Sequence, residues 1–232
     1  MKYIFWDIDG TLLLTARAGI DALKESIKLR FHKDDFDFSH GLAGRTDSFI
    51  IKRAITDIKG KCDAADAAGL LITYNQLLPK YLESHKGKVM PNVKTTLEYL
   101  KNNCPQWHST LLTGNCSRAA YDKLVHYGLY DYFDFSLSAF GELSEERDML
   151  AKALVQKIYI TNPKIDPARD IIVIGDTPHD VKCAKAIGAK CLIVLAGSFY
   201  NEEEVKKENP WKIIPKLPDK PEDFLKIINQ ED

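Results

Sequence analysis

Four short apolar runs, each ending on small or polar residues, constrain this chain more than any other feature. Tyr3-Ile4-Phe5-Trp6 ends at Asp7, and Thr110-Leu111-Leu112 ends at Thr113-Gly114-Asn115. Ile171-Ile172-Val173-Ile174 ends at Gly175-Asp176, and Cys191 to Leu195 ends at Ala196-Gly197. Uninterrupted apolar runs of this length suit strands covered on both faces, because clean alternation is expected only where one face meets water. Helical spacing fills intervals at 117–127, 144–158 and 178–187. Strands alternating with helices predict a doubly wound α/β core with a parallel sheet, in which ligands bind at the carboxyl ends of the strands. The polar ends of the runs fall there.

The segment between the first two runs breaks this alternation. Apolar residues recur at helical spacing over 18–30, 46–59 and 64–83, with turns expected at 41–44 and 60–61 and a return linker at 87–91. Two domains are therefore expected: an α/β core from 1–15 and 88–232, and an all-helical domain from 16–87 inserted into it. The Pro- and Lys-rich stretch near 210–221 is expected to lead into a last short helix over 221–228.

Bulk properties exclude some classes of function. A net charge of −1 gives no electrostatic footprint for nucleic acid. No apolar run approaches the ~20 residues that cross a bilayer. The five cysteines show no Cys-x-x-Cys pair, which argues against zinc and for a reduced chain. The apolar stretch after Met1-Lys2 is too short for a secretory leader, so a cytoplasmic location is expected.

The chemistry sits at the run ends. Asp7 and Asp9 flank Ile8 and are followed at once by the turn residues Gly10-Thr11. A carboxylate there can attack phosphorus and a second can exchange a proton with the leaving oxygen and with water; the alternative is a pair of solvated or capping loop acids. Thr113-Gly114-Asn115 can hold phosphate oxygens through a hydroxyl and backbone N–H groups, or form a turn capped by Asn115 or Ser117. Asp176 and Asp180 lie four apart around Pro178 and suit either a helix start or an oxygen-ligand site for Mg²⁺. Carboxylates converging from separate strand ends would repel one another without a cation. Of the basic residues between these motifs, Arg118, Arg147 and Lys152, the first turn of the helix over 144–158 places Arg147 nearest a strand end. Lys152 should point elsewhere, and Arg118 suits a solvated face.

Taken in order, Asp7-x-Asp9-Gly10-Thr11, Thr113-Gly114-Asn115, a basic residue and Gly175-Asp176-x-x-x-Asp180 resemble the four motifs of the haloacid dehalogenase superfamily. The likeness spans nearly the whole chain and is strongest to the phosphoglycolate phosphatase-like branch, whose helical cap follows the first motif. The resemblance implies a Rossmann-like core and a magnesium-dependent phosphatase acting on a small phosphorylated metabolite through an aspartyl-phosphate. It implies Asp7 as nucleophile and metal ligand, and Asp9 as acid/base that also offers its backbone carbonyl to the metal. It further implies Thr113, Gly114 and Asn115 around the phosphoryl group, Asp176 as the second carboxylate ligand, and Asp180 as direct or water-mediated support. Gly41 to Asp47 resembles the cap loop that enters the active site, with Arg45 as the residue for an anionic substrate end.

One departure stands out. The third motif is usually lysine, commonly followed by proline, whereas this chain reads Ser144-Glu145-Glu146-Arg147. Arginine keeps the charge but presents a planar fork. Asp9 argues against a dehalogenase, which needs no second acid. A phosphomutase with the same aspartates, or a non-catalytic phosphate-binding switch on this scaffold, remains open. Expected partners are the metabolite alone, without nucleic acid or membrane, in a monomer or weak dimer.

Overall fold

The computed structural model describes residues 1–38 and 41–230. Seven strands lie at Lys2–Trp6 (β1), Leu13–Leu14 (β2), Lys88–Val89 (β3), Trp107–Leu111 (β4), Ile171–Gly175 (β5), Lys190–Val194 (β6) and Lys212–Ile214 (β7). Helices α1 to α3 span Ala18–Phe31, Asp47–Lys59 and Ala64–Ser84; α4 to α6 span Val93–Asn103, Ser117–His126 and Arg147–Thr161. The remainder are Pro167–Asp170 (α7), Pro178–Ala186 (α8), Glu202–Lys206 (α9) and Pro221–Ile228 (α10).

Five strands form one parallel sheet in the order β4-β1-β5-β6-β7. The apolar runs explain it, since successive side chains of a strand point to opposite faces. Ile4 and Trp6 of β1 join Ile172, Ile174, Leu192 and Val194 in a core closed by Leu97, Leu124 and Phe224. Tyr3 and Phe5 face the other way, with Ile171, Val173 and Ile193 against Leu150, Leu154 and Val181. Trp6 stacks on Phe224 and donates its indole N–H to Ser109 Oγ at 3.2 Å, so its one polar atom is satisfied.

Several features escaped the sequence reading, among them the short helices α7 and α9. Strand β7 lies in the Lys/Pro-rich stretch that was expected only to lead into the last helix; it is a three-residue sheet edge, whose single neighbour demands little apolar patterning. Helix α4 buries Val93, Thr96, Leu97 and Leu100, a helical spacing interrupted by one threonine. The linkers into and out of the helical segment pair as an antiparallel ribbon, Leu13 with Val89 and Leu14 with Lys88.

Helices α1, α2 and α3 share their own apolar cluster, built on Leu23, Ile27, Ile51, Ile55, Leu70, Leu78 and Leu82. Cys116 and Ala119 join this cluster from α5 and form its seam with the sheet core. Local signals set the ends of these helices. Thr46 Oγ1 accepts the N–H of Phe49, Asp63 Oδ1 accepts that of Asp66, and Gly60 closes α2 at φ 77°. Among the described residues all five cysteines are free, and no helix is long and apolar enough to cross a membrane.

Candidate active site

Strand register assembles the site. Trp6 pairs with Leu111 on one side and with Ile174 on the other. The next residues, Asp7, Leu112 and Gly175, therefore stand side by side at the carboxyl edge of the sheet, with Thr113 and Asp176 one step further on. Asp7 N–H still bonds Ile174 O at 2.9 Å, and Leu112 N–H bonds Trp6 O at 2.9 Å, so the sheet holds both loops up to the point of departure.

Asp7, Asp176 and Asp180 are all buried, and one carboxylate oxygen from each lies within 4.8 Å of the others. Asp176 Oδ1 accepts from Thr11 Oγ1 at 3.0 Å. Asp180 Oδ2 accepts the hydroxyl and the N–H of Thr177 and the N–H of Asp176, so the helix-start geometry of Asp180 and its nearness to Asp7 coexist. Among the described residues one buried cation faces this cluster. Arg147 Nη2 lies 2.9 Å from Asp7 Oδ2 and 2.6 Å from Asp180 Oδ1. Burial pulls the Arg147 pKa down, and the charges of Asp180 and Asp7 more than offset it. A single guanidinium does not balance three carboxylates. Burial pushes the Asp7 pKa up to about 6 against the opposing pull of Arg147. Burial, then the charges of Asp180 and Asp7, push Asp176 well above the usual carboxylate range. Hard oxygen donors short of positive charge fit a small divalent cation.

Arg147 is the first residue of α6, which starts three residues later than the spacing suggested. Ser144 does not cap it; its hydroxyl accepts the N–H of Glu146 instead. Arg118 is exposed and paired with Asp122, and Lys152 is exposed on α6.

Asp9 turns toward a different partner. Its carboxylate accepts from Lys123 Nζ at 2.6 and 2.8 Å and from Asn115 Nδ2 at 2.7 Å. Asn115 Nδ2 also donates to Thr113 Oγ1 at 2.9 Å, which joins the turn after β4 to the first motif. The structure thus brings Asp7, Asp9, Thr113, Gly114, Asn115, Arg147, Asp176 and Asp180 together.

Arg45 arrives from the helical insert. Its backbone packs so close to Gly114 that a Cβ there would stand 2.2 Å from Arg45 O. Its guanidinium lies over the Phe49 ring at 4.7 Å from the centroid. Arg147 Nη1 donates to Gly44 O at 3.2 Å, so the same arginine touches the insert and the carboxylate cluster.

A profile of the haloacid dehalogenase-like hydrolases matches residues 4–194. The chain belongs to that family. Its relatives include phosphoglycolate phosphatase 1 of Pseudomonas aeruginosa, 29% identical over 224 residues covering 94% of this chain and 78% of the relative. Pyrophosphatase PpaX of Halalkalibacterium halodurans is 22% identical, covering 93% of each. The fold is shared with CbbY from Rhodobacter sphaeroides, solved in complex with phosphate, at TM-score 0.73, 14% identity and coverage of 93% of this chain and 94% of that one. It is also shared with a haloacid dehalogenase-like family hydrolase from Streptococcus pneumoniae, at TM-score 0.61, 18% identity and 98% coverage of both.

Sequence reasoning missed one residue that the structure places beside this candidate site. Lys123 lies on the helix that follows Thr113-Gly114-Asn115, and no family motif marks it. The available signal was positional: Ala119, Ala120, Lys123 and Leu124 are all buried on α5, so Lys123 interrupts an apolar stripe at i, i+3 and i+4 spacing. A lysine on the buried face of a helix needs an anion beside it.

Proposed function

We propose that this enzyme is a magnesium-dependent phosphomonoesterase that acts on a small phosphorylated metabolite by way of a phosphoryl group carried on Asp7. The observation that carries the reading is the buried cluster of Asp7, Asp176 and Asp180 faced by Arg147. Family membership and phosphatase relatives make the chain a phosphatase; the cluster supports the mechanism. Asp7 and Asp176, with the backbone carbonyl of Asp9, would hold the metal, and Asp180 would brace it through Arg147 and Thr177. Bound there, Mg²⁺ would supply the positive charge that the carboxylates lack and that phosphoryl oxygens require.

In the proposed sequence, a carboxylate oxygen of Asp7 bonds to phosphorus while the bond to the leaving oxygen breaks. Asp9 gives that oxygen a proton, then takes one from the water that attacks the phosphoryl-Asp7. The Thr113 hydroxyl and the neighbouring N–H groups would hold the equatorial oxygens. Arg147 Nε is buried and finds no acceptor among the described residues, and a phosphoryl oxygen beside Asp7 is the kind of acceptor that it lacks. We assign residues 16–87 as the cap domain. Its loop reaches Gly114, which favours substrates small enough to be enclosed.

The test is phosphate release from p-nitrophenyl phosphate and from a panel of small phosphorylated metabolites, with Mg²⁺ and with EDTA. Turnover that persists in EDTA, or in Asp7→Asn, overturns the reading.

A further inference from the structure

Lys123 has three N–H donors, and the structure accounts for all of them. They go to Asp9 Oδ1 at 2.8 Å, Asp9 Oδ2 at 2.6 Å and Asn115 Oδ1 at 2.5 Å. The side chain of Lys123 is 5% exposed, whereas that of Asp9 is 43% exposed. Asp9 is therefore gripped from its buried side and open on the other. The grip has a second effect. Because Asn115 Oδ1 accepts from Lys123, its Nδ2 is the end that faces Asp9 Oδ2 and Thr113 Oγ1. One ammonium thus fixes both the carboxylate of Asp9 and the amide orientation of Asn115.

We propose that Lys123 is a positioning residue for the proton transfers made by Asp9. With no donor left over, it has nothing to offer a substrate; it acts through Asp9. In the first half-reaction the proton passes from the Asp9 carboxyl to the leaving oxygen as the P–O bond breaks, leaving a carboxylate where Lys123 and Asn115 hold it. In the second, that carboxylate takes a proton from the attacking water. The inference rests on the reading of Asp9 as acid/base given above.

The test compares kcat/KM for 4-nitrophenyl phosphate and benzyl phosphate, which are alike in size but release a weakly and a strongly basic oxygen. Only the strongly basic oxygen depends on a well-placed acid, a contribution of about 10²–10⁴-fold. Lys123→Met keeps the length of the stem and should lose about 10²-fold on benzyl phosphate and only a few-fold on 4-nitrophenyl phosphate. Lys123→Arg should recover part of the difference. In an Asp9→Asn background, Lys123→Met should cost nothing further on benzyl phosphate, since the group being positioned has gone. Equal losses on both substrates, or full additivity with Asp9→Asn, overturn the proposal. Should the unsubstituted enzyme hydrolyse neither ester, the functional reading itself has failed; should it hydrolyse both and Lys123→Met be indistinguishable from it, only the role of Lys123 has. Thermal unfolding of each variant separates loss of fold from loss of positioning.

Discussion

The carboxylate of Asp47 accepts the backbone N–H of Cys116 at 2.7 Å, while the N–H of Asp47 donates to Gly114 O at 2.7 Å. A residue of the helical insert thus grips the turn that carries Thr113, Gly114 and Asn115, at the N-cap of α5. The contact is part-buried, and burial pushes the Asp47 pKa up.

Asp47→Ala removes the acceptor and leaves the Cys116 N–H without this partner. Loss of a cap-type hydrogen bond costs about 1 kcal/mol, so thermal unfolding should shift down by a few degrees. The same contact fastens the insert to that turn, so, on the proposed closure of the insert over a small metabolite, KM should rise by about tenfold, the equivalent of one hydrogen bond of about 1.4 kcal/mol. Steady-state kinetics with an unchanged KM would remove Asp47 from closure.

Arg147 joins Asp7, Asp180 and Gly44 O, which makes it the most connected cation of the site. Arg147→Met should reduce kcat/KM by about 10²–10³-fold, the scale of losing a charged donor aimed at a developing anion. Arg147→Lys keeps the charge but cannot span both carboxylates as a fork, and should fall between the two. Metal affinity, read by activity against Mg²⁺ concentration, separates the two effects. A more negative cluster in Arg147→Met should bind Mg²⁺ more tightly even as turnover collapses.

Much of this was legible in the sequence for physical reasons. Fully buried parallel strands write themselves as unbroken apolar runs, so β1, β5 and β6 stood out, and with them the candidate residues at their ends. Asp7, Asp176 and Asp180 could be placed together because parallel register brings strand ends level. Short, low-contrast pieces were not legible: β2 and β3 are two residues each, and β7 is an edge strand. Lys123 was missed because its role comes from the approach of α5 to the first motif, across 114 residues of sequence, and not from any local pattern. Arg45 shows the converse. Its backbone lies against Gly114, where the loop was expected to approach the core, yet its guanidinium lies over Phe49.

Gly10 sits at φ 86°, and a Cβ there would stand 2.3 Å from Asp176 Oδ2. Both the backbone and the space demand glycine. Gly10→Ala should push the Asp176 carboxylate away from Asp7 as well as straining the turn by about 1–2 kcal/mol. Its expected signature is a weakened Mg²⁺ requirement curve, with half-saturation moved up by at least about tenfold, measured by activity and by Mg²⁺-dependent thermal stabilisation. An unaltered Mg²⁺ dependence would mean that Asp176 is not held by this packing.

The metal and the pH dependence of stability should be linked through Asp7. Without a metal, burial raises its pKa to about 6 in the folded chain, against about 3.9 when unfolded. A carboxyl with a raised folded pKa binds its proton more tightly in the folded state. Its favourable contribution is complete below the unfolded pKa and disappears as pH rises through about 6. The lost contribution is on the order of 3 kcal/mol. Asp176 shifts in the same direction and adds to the effect. The EDTA-treated protein should therefore be more stable at pH 5.5 than at pH 7.5, the reverse of ordinary acid lability. His179, whose pKa burial lowers, works against this trend below pH ~6.5, because the unfolded histidine takes up a proton that the folded one resists. Asp7→Asn isolates the carboxyl: it should flatten the stability profile between these pH values relative to the unsubstituted chain. On the proposed metal site, added Mg²⁺ would compete with the proton for the same oxygens, so its stabilisation should be largest at pH 7.5 and shrink as pH falls through 6. Thermal unfolding of both proteins, with Mg²⁺ and with EDTA across this range, measures all of it. A Mg²⁺ shift that is independent of pH, or equally large in Asp7→Asn, would place the cation somewhere other than on Asp7.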